Sequence, residues 1–153
     1  MVRFLENRFY MGFKRILIAV DESPSAAHAA DVGIALANCL KGEVAFMHVV
    51  DTSHVLVSPK MEMPIDHPTA IAEQQGRKLL AAFRDRAETN LQALELLETG
   101  KPATRIVEGA RRWPADLIVI ASHGRGGIHR LLLGSVADAV IRHASCPVLV
   151  VRT

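Results

Sequence analysis

The sequence has 153 residues, of which 50% are hydrophobic and 5% aromatic, and its formal net charge is +2. A chain of this length forms one domain with its own core, and this composition is not that of a disordered protein. The charge is too small to indicate nucleic-acid binding, and the apolar runs are strand-sized and far shorter than a membrane span. We therefore expect neither nucleic acid nor a membrane among its partners.

The two cysteines, Cys39 and Cys146, are too few for a disulfide framework or a metal-binding knuckle. We interpret them as buried free thiols in a reducing cytoplasm, with a redox or ligand role as the alternative. The first ten residues, MVRFLENRFY, lack the apolar centre of a signal peptide. We expect residues 1–13 to form an N-terminal arm and residues 14–153 to form a single domain.

The first half of the chain predicts two strands with a helix between them. The run KRILIAV, Lys14 to Val20, is typical of a strand buried on both faces. Ser23 followed by Pro24 predicts a helix start, with an N-cap serine and a proline at the first helical position. The alanine-rich helix is predicted over Ala26 to Leu40, and Val44 to Val50 predicts the second strand.

A long connection, Asp51 to Thr69, contains three prolines and separates the two halves. Loops of this length are usually functional or mobile. The second half continues the alternation of helices and strands. Its predicted elements are a helix over Ile71 to Asn90, a strand over Ala93 to Glu98, a helix over Pro102 to Arg112, a strand over Ala115 to Ala121, a helix over Ser135 to His143 and a strand over Pro147 to Arg152.

This alternation predicts an α/β fold, a doubly wound parallel sheet with right-handed crossovers and helices on both faces. In such sheets ligands bind beyond the carboxyl ends of the strands, near the point where the strand order reverses. The first predicted strand ends at Asp21 and the fourth at Ala121. If these strands are neighbours, their ends bracket a crevice.

The segment SHGRGGIHRLLLGS, Ser122 to Ser135, contains four of the ten glycines and ends at a predicted helix start. A helix N-terminus attracts anions, and glycines let backbone N–H groups approach phosphate oxygens. The segment is neither a Walker A loop nor a G-x-G-x-x-G fingerprint. Glycine content alone leaves anion binding and a plain tight turn both open. Likewise, the Ser135 hydroxyl either contacts phosphate or only caps the helix.

Two longer stretches, ILIAVDES and ADLIVIASHGRGGIHRLLLGSVADAVIRHASCPVLVV, carry a resemblance. Together they resemble the universal stress protein family, of the adenine-nucleotide-binding kind. The family's loop has a glycine, two residues, a glycine, nine residues, and then a glycine with serine or threonine. Here Gly124 and Gly134 have nine residues between them and Ser135 follows, but Ala121 replaces the first glycine. The resemblance implies a five-stranded parallel sheet in the order 3-2-1-4-5.

The resemblance also implies a nucleotide site that holds ATP or AMP. Because no carboxylate cluster in the sequence forms a dedicated metal site, we expect any Mg²⁺ to be carried by the triphosphate. Asp21 would hold the nucleoside, because a carboxylate accepts hydrogen bonds from hydroxyl or amino groups; its alternative role is helix capping. We expect Ala121 to weaken binding without abolishing it, because its Cβ disfavours positive φ and fills space near the sugar. The full set of predicted site residues is Asp21, Val49, Ala121, His123, Gly124, Arg125, Gly127, Gly134, Ser135 and Val136.

The sequence contains no recognisable set of catalytic residues. His48 lies inside a predicted strand and is expected to be packed and hydrogen-bonded, while the other histidines match no metal-ligand spacing. No residue is an evident general base for the γ-phosphate. We therefore expect a nucleotide-binding regulatory protein. The alternatives are a slow ATPase of the same fold and a stress protein that binds no nucleotide.

The last predicted strand, Pro147 to Arg152, would lie at a sheet edge in the family's strand order. Its run PVLVV is apolar and uncharged, and proteins seldom leave such an edge open. A homodimer paired through this strand is therefore expected, and the resemblance implies the same dimer. The connection from Asp51 to Thr69 follows the second strand, so it emerges on the nucleotide side, where we expect it to cover the ligand.

Overall fold

The computed structural model describes residues 12–52, 66–87, 91–124 and 133–152. In these residues strands and helices alternate along the chain. They are β1 (Arg15–Ala19), α1 (Pro24–Leu40), β2 (Glu43–Asp51), α2 (Asp66–Arg86), β3 (Ala93–Gly100), α3 (Pro102–Arg112), β4 (Leu117–Ala121), α4 (Ser135–His143) and β5 (Val148–Val151). All neighbouring strands are parallel, and the order β3-β2-β1-β4-β5 confirms the predicted topology.

Helices cover both faces of the sheet. Consecutive strand residues point to opposite faces, so each strand contributes side chains to both layers. Ile16 and Ile18 of β1 pack into a cluster with Phe46 of β2 and with residues of α1 and α2, including Leu80 of α2. The alternate residue Leu17 packs into a second cluster with residues of α3 and α4. The prediction that β1 is buried on both faces is therefore confirmed.

The start of α1 is as predicted. Ser23 is the N-cap, and its hydroxyl oxygen accepts a hydrogen bond from the backbone N–H of Ala26 at 3.1 Å. Pro24 takes the first helical position, where its missing N–H would have no intrahelical partner. The bounds of α3 and α4 also match the prediction.

The predicted connection from Asp51 to Thr69 is wrong at its end, because α2 already begins at Asp66. Pro68 lies in the first turn of α2, where a backbone N–H would have no intrahelical acceptor, so the proline removes no hydrogen bond from the helix. The helix ends at Arg86, and residues 88–90, which the sequence placed in it, lie outside the described residues, as do residues 53–65. Of the predicted N-terminal arm, residues 1–11 also lie outside them.

The strand bounds differ from the prediction by one or two residues. β4 begins at Leu117 because the N–H of Ala115 is still bonded to the carbonyl of Ala110, at the end of α3. β3 continues to Gly100, since it pairs with β2 as far as Asp51. β1 and β5 are each one residue shorter at both ends than predicted.

The interpretation of both cysteines as buried is wrong for Cys39. That residue is exposed, because it lies on the face of α1 opposite the buried alanines that pack on the sheet. Cys146 is partly buried, and this burial, together with the charge of Asp116, raises the pKa of its thiol. Neither cysteine is in a disulfide.

In the part of the chain that the structure describes, no helix has both the length and the apolar character that crossing a membrane requires.

Candidate functional site

A cleft of about 960 Å³ lies at the carboxyl ends of the central strands. It is bounded by the ends of β1, β2 and β4, by the start of α4, and by residues of α2 and α3. Every predicted site residue that the structure describes lines this cleft. These residues are Asp21, Val49, Ala121, His123, Gly124, Gly134, Ser135 and Val136. The predicted residues Arg125 and Gly127 lie outside the described residues.

The carboxylate of Asp21 has two different environments. Its Oδ1 accepts hydrogen bonds from the backbone N–H of Ser23, at 2.9 Å, and from the Ser23 hydroxyl. Its Oδ2 points toward Gly124, where a Cβ would lie only 2.6 Å away. Asp21 is thus not the helix N-cap itself but orients the serine that is, and its second oxygen remains at the cleft.

The start of α4 presents backbone donors that have no intrahelical partner. Its N-cap is Gly134, with φ −64° and ψ 148°, and no side chain of the described residues caps the helix there. The alternative that Ser135 is the capping residue is therefore wrong, since Ser135 is the first helical residue. The first N–H groups of a helix have no intrahelical acceptor and carry the positive end of its dipole. The first three residues of α4 all line the cleft.

Gly134 is held close to the end of β4. Its N–H donates to the carbonyl of Ser122 at 2.8 Å, and the N–H of Ser122 donates to the carbonyl of Val151, also at 2.8 Å. A Cβ on Gly134 would lie 2.9 Å from the Ser122 oxygen. The glycine is required here by close backbone approach, because its φ is negative and accessible to any residue.

Ala121 is the last residue of β4 and pairs with Val151 of β5. Its side chain is buried in the cluster beneath α1. The expectation that the methyl group opposes a positive φ is wrong, because Lys41 is the only non-glycine residue with positive φ among those described. Ala121 has ordinary strand geometry, and its methyl group packs without backbone strain.

His123 brings a buried polar atom to the cleft. Its Nδ1 lies 3.0 Å from the hydroxyl of Ser122. Its Nε2 is buried and has no hydrogen-bond partner in the described part of the chain. Buried polar atoms are normally paired, so a ligand hydroxyl or phosphate oxygen would complete this site.

The cleft also contains residues that the sequence did not predict as part of it. His48 lines it and is packed and hydrogen-bonded as expected, with Nδ1 2.9 Å from the Val20 carbonyl oxygen. Gln75 of α2 and Ile106 of α3 also line the cleft. The turn TGKP follows a parallel strand, so it could have indicated that α3 begins at this edge of the sheet. No sequence signal indicated that α2 lines the cleft.

No group of three or more histidine, cysteine, aspartate or glutamate side chains is placed to hold a metal ion within the described ranges. The backbone donors at the cleft suit an anion, and the Asp21 carboxylate suits an attached group that offers hydroxyls.

The model of the universal stress protein family matches residues 12–152 of the chain. The chain belongs to the universal stress protein family. It is 38% identical over 146 residues to a universal stress protein of Methanocaldococcus jannaschii, which covers 92% of this chain and 82% of the relative. It is 32% identical over 147 residues to the universal stress protein YxiE of Bacillus subtilis, covering 92% and 99%.

Solved structures of universal stress proteins have the same fold. The structure of UspA from Lactobacillus plantarum matches with a TM-score of 0.75 and 26% identity, covering 92% of this chain and 98% of that one. A universal stress protein in complex with cAMP matches with a TM-score of 0.71 and 23% identity, covering 93% and 99%. One from Archaeoglobus fulgidus in complex with dAMP matches with a TM-score of 0.61 and 23% identity, covering 90% and 97%.

Proposed function

We propose that the cleft binds an adenine nucleotide, ATP or AMP, and that this universal stress protein acts as a cytoplasmic regulatory dimer in the stress response. One observation carries the proposal. The Oδ2 atom of the Asp21 carboxylate and the N-terminus of α4, which no side chain among the described residues caps, both face the same cleft. The cleft therefore offers a hydrogen-bond acceptor at one point and an anion-binding group of donors at another.

The nucleoside would occupy the end of the cleft between β1 and β2. Asp21 Oδ2 can accept hydrogen bonds from ribose hydroxyls or from the adenine amino group, and only accepts when ionised. The backbone around Val49, near the end of β2, would lie along the base. Two proteins of the same fold bind the adenine nucleotides cAMP and dAMP, so this ligand class is the first to test.

The phosphates would bind at the start of α4 and at the segment from Ala121 to Gly124. Charge-assisted hydrogen bonds from backbone N–H groups contribute about 1.5–3 kcal/mol each. Three or four of them, reduced by the cost of ordering and association, are consistent with micromolar affinity, or about −8 kcal/mol. The buried Nε2 of His123, which has no hydrogen-bond partner among the described residues, would gain one from the ligand.

The two edges of the sheet differ in a way that supports a dimer through Pro147 to Arg152. On the β3 edge, Glu95 forms an ion pair with Arg84 at 2.6 Å, and Glu98 forms one with Arg112. Charged side chains on an edge strand oppose pairing with another chain. The β5 strand, Val148–Val151, has only apolar side chains.

The outward backbone groups of β5 can be assigned from the ladder. The carbonyl of Pro147 accepts a hydrogen bond from the N–H of Ile118 in β4, and that of Val151 accepts one from the N–H of Ser122, the residue after β4. Because backbone groups of successive strand residues point to opposite sides, those of Val148 and Val150 point away from β4. These groups are the ones that a second copy would pair with across a two-fold axis.

The nucleotide proposal is tested by identifying what copurifies with the protein. Freshly purified protein is heat-denatured, and the supernatant is analysed by mass spectrometry and nucleotide chromatography. We expect an adenine nucleotide in an amount that approaches the amount of protein. Absence of any nucleotide, together with no heat of binding for ATP or AMP, would refute the proposal.

A further inference from the structure

His48 is a buried ionisable side chain that the proposed nucleotide contacts do not use. It lies in β2, is 7% exposed, and has its ring toward α2. Its Nδ1 lies 2.9 Å from the carbonyl oxygen of Val20. A carbonyl can only accept a hydrogen bond, so Nδ1 carries the proton and donates.

Val20 is the residue that joins β1 to Asp21, and β2 holds both of its backbone polar groups. Its N–H donates to the carbonyl of Met47 at 2.9 Å, as in a regular ladder. Its carbonyl accepts from the side chain of His48. That carbonyl belongs to the peptide group between Val20 and Asp21. The imidazole therefore fixes the orientation of this peptide plane, and with it the direction of the Asp21 side chain.

The ring of His48 is held from its other side by α2. Gly76 of α2 lies so close that a Cβ there would be 2.9 Å from Cδ2 of His48 and 2.7 Å from Cδ1 of Leu97. The helix backbone therefore packs directly on the ring, and little space remains for the imidazole to rotate away from Val20. The hydrogen bond is thus supported by the packing of α2 against the ring.

We propose that His48 is a positioning residue for Asp21. By orienting the peptide group between Val20 and Asp21, it keeps Oδ1 on the start of α1 and Oδ2 at the cleft. The proposal rests on nucleotide binding by Asp21 for its functional consequence. Its structural content, the placement of the carboxylate, can be measured in the absence of nucleotide.

The first test compares two substitutions of His48. In His48→Asn the side-chain amide keeps an N–H donor close to the position of Nδ1, whereas His48→Leu removes the donor and keeps an apolar side chain. Titration calorimetry with AMP should show a loss of about fivefold in affinity for His48→Leu, the size expected for one hydrogen bond, and a loss of less than about twofold for His48→Asn. Equal losses in the two variants would overturn the proposal.

The second test asks whether His48 acts through Asp21. In a double-mutant cycle with ATP, His48→Leu should cause no further loss of affinity in protein that already carries Asp21→Asn. Losses that simply multiply would show that His48 acts on binding independently of Asp21, which contradicts the proposal.

The third test needs no nucleotide and separates this inference from the proposed function. The N–H of Ser23 donates to Asp21 Oδ1, so its hydrogen–deuterium exchange reports where the carboxylate lies. Exchange at Ser23 should be faster in His48→Leu than in the native chain and unchanged in His48→Asn. If the native protein binds no nucleotide, the proposed function fails, while this exchange still decides whether His48 positions Asp21.

A matched control distinguishes positioning from general loosening of the core. Phe83 of α2 stacks on Phe46, with ring centroids 5.8 Å apart, in the same cluster as the sheet face of α2. Phe83→Leu should lower the urea midpoint of unfolding and leave both Ser23 exchange and AMP affinity unchanged. If Phe83→Leu reproduces the effects of His48→Leu, the role of His48 is only structural and the proposal is wrong.

Discussion

Asp21 Oδ2 lies 2.6 Å from the position that a Cβ would occupy on Gly124. The two residues are 103 positions apart in sequence, yet they meet because β1 and β4 are adjacent parallel strands that end at the same edge of the sheet. The contact brings an acidic side chain and a glycine backbone together at the mouth of the cleft. A side chain at position 124 would collide with Asp21 in its present orientation.

Gly124→Ala should therefore weaken nucleotide binding. The new methyl group would displace Oδ2, and the carboxylate could move only by giving up its bonds to Ser23. Loss of a hydrogen bond to a charged group predicts a decrease in affinity of about tenfold or more. Calorimetry with ATP measures it. The control is Gly12→Ala, where a Cβ would meet only Lys14 Cε at 3.6 Å, and unchanged binding in Gly124→Ala would argue against a role for this contact.

Gly134→Ala should reduce stability as well as binding. Its Cβ would lie 2.9 Å from the backbone oxygen of Ser122, which cannot swing aside as a side chain can. The start of α4 must then shift away from β4, and overpacking of this kind costs about 1–3 kcal/mol. Urea unfolding followed by circular dichroism gives the change in the free energy of unfolding. Native stability in this variant would contradict the close approach described here.

Ala121→Gly tests the position at which the chain departs from the family's loop. Because Ala121 has no backbone strain and packs in the core, the substitution should cost about 0.5–1 kcal/mol of stability, as expected for a glycine in a strand. Nucleotide affinity should rise by at most about threefold, from the added space near the sugar. Binding that is measurable only in Ala121→Gly would show that the methyl group blocks the site.

Val150→Pro tests the proposed dimer. The N–H of Val150 points away from β4, so a proline removes a donor from the free edge without removing one from the sheet. Sedimentation velocity at micromolar concentration should show a dimer for the native chain and a monomer for Val150→Pro. Val150→Ala retains the N–H and should remain dimeric. A native chain that sediments as a monomer would rule out the dimer.

Much of the fold could be predicted because every strand except β3, which carries Glu95 and Glu98, contains a short apolar run next to turn residues. Ser23 and Pro24 marked the start of α1 for physical reasons that the structure reproduces. The start of α2 could not be predicted in the same way. Pro68 looks like a loop residue in sequence, but a proline in the first helical turn costs no intrahelical hydrogen bond. The strand order came from the family resemblance, since alternation alone does not select it.

The cleft was predictable where turns that follow strands line it. Asp21 and Gly124 follow β1 and β4, so the topology alone brings them to one edge. The contribution of α2 was not predictable, because the packing of Gly76 on His48 depends on how the helix crosses the sheet. The reason for a glycine at position 134 also could not be predicted, because a close backbone approach and a positive φ both favour glycine and the sequence does not distinguish them.

The most direct test of the central claim is calorimetric titration of ATP and AMP into the native chain and into Asp21→Asn. The asparagine still has an oxygen to accept from Ser23, but it replaces the second acceptor with an N–H donor that cannot accept from the nucleoside. Asp31→Asn is the matched control, because Asp31 pairs with Arg86 and does not line the cleft. We predict micromolar binding by the native chain and by Asp31→Asn, and a loss of about tenfold or more in Asp21→Asn. Native affinity in Asp21→Asn, or no binding of either nucleotide by the native chain, would contradict the claim.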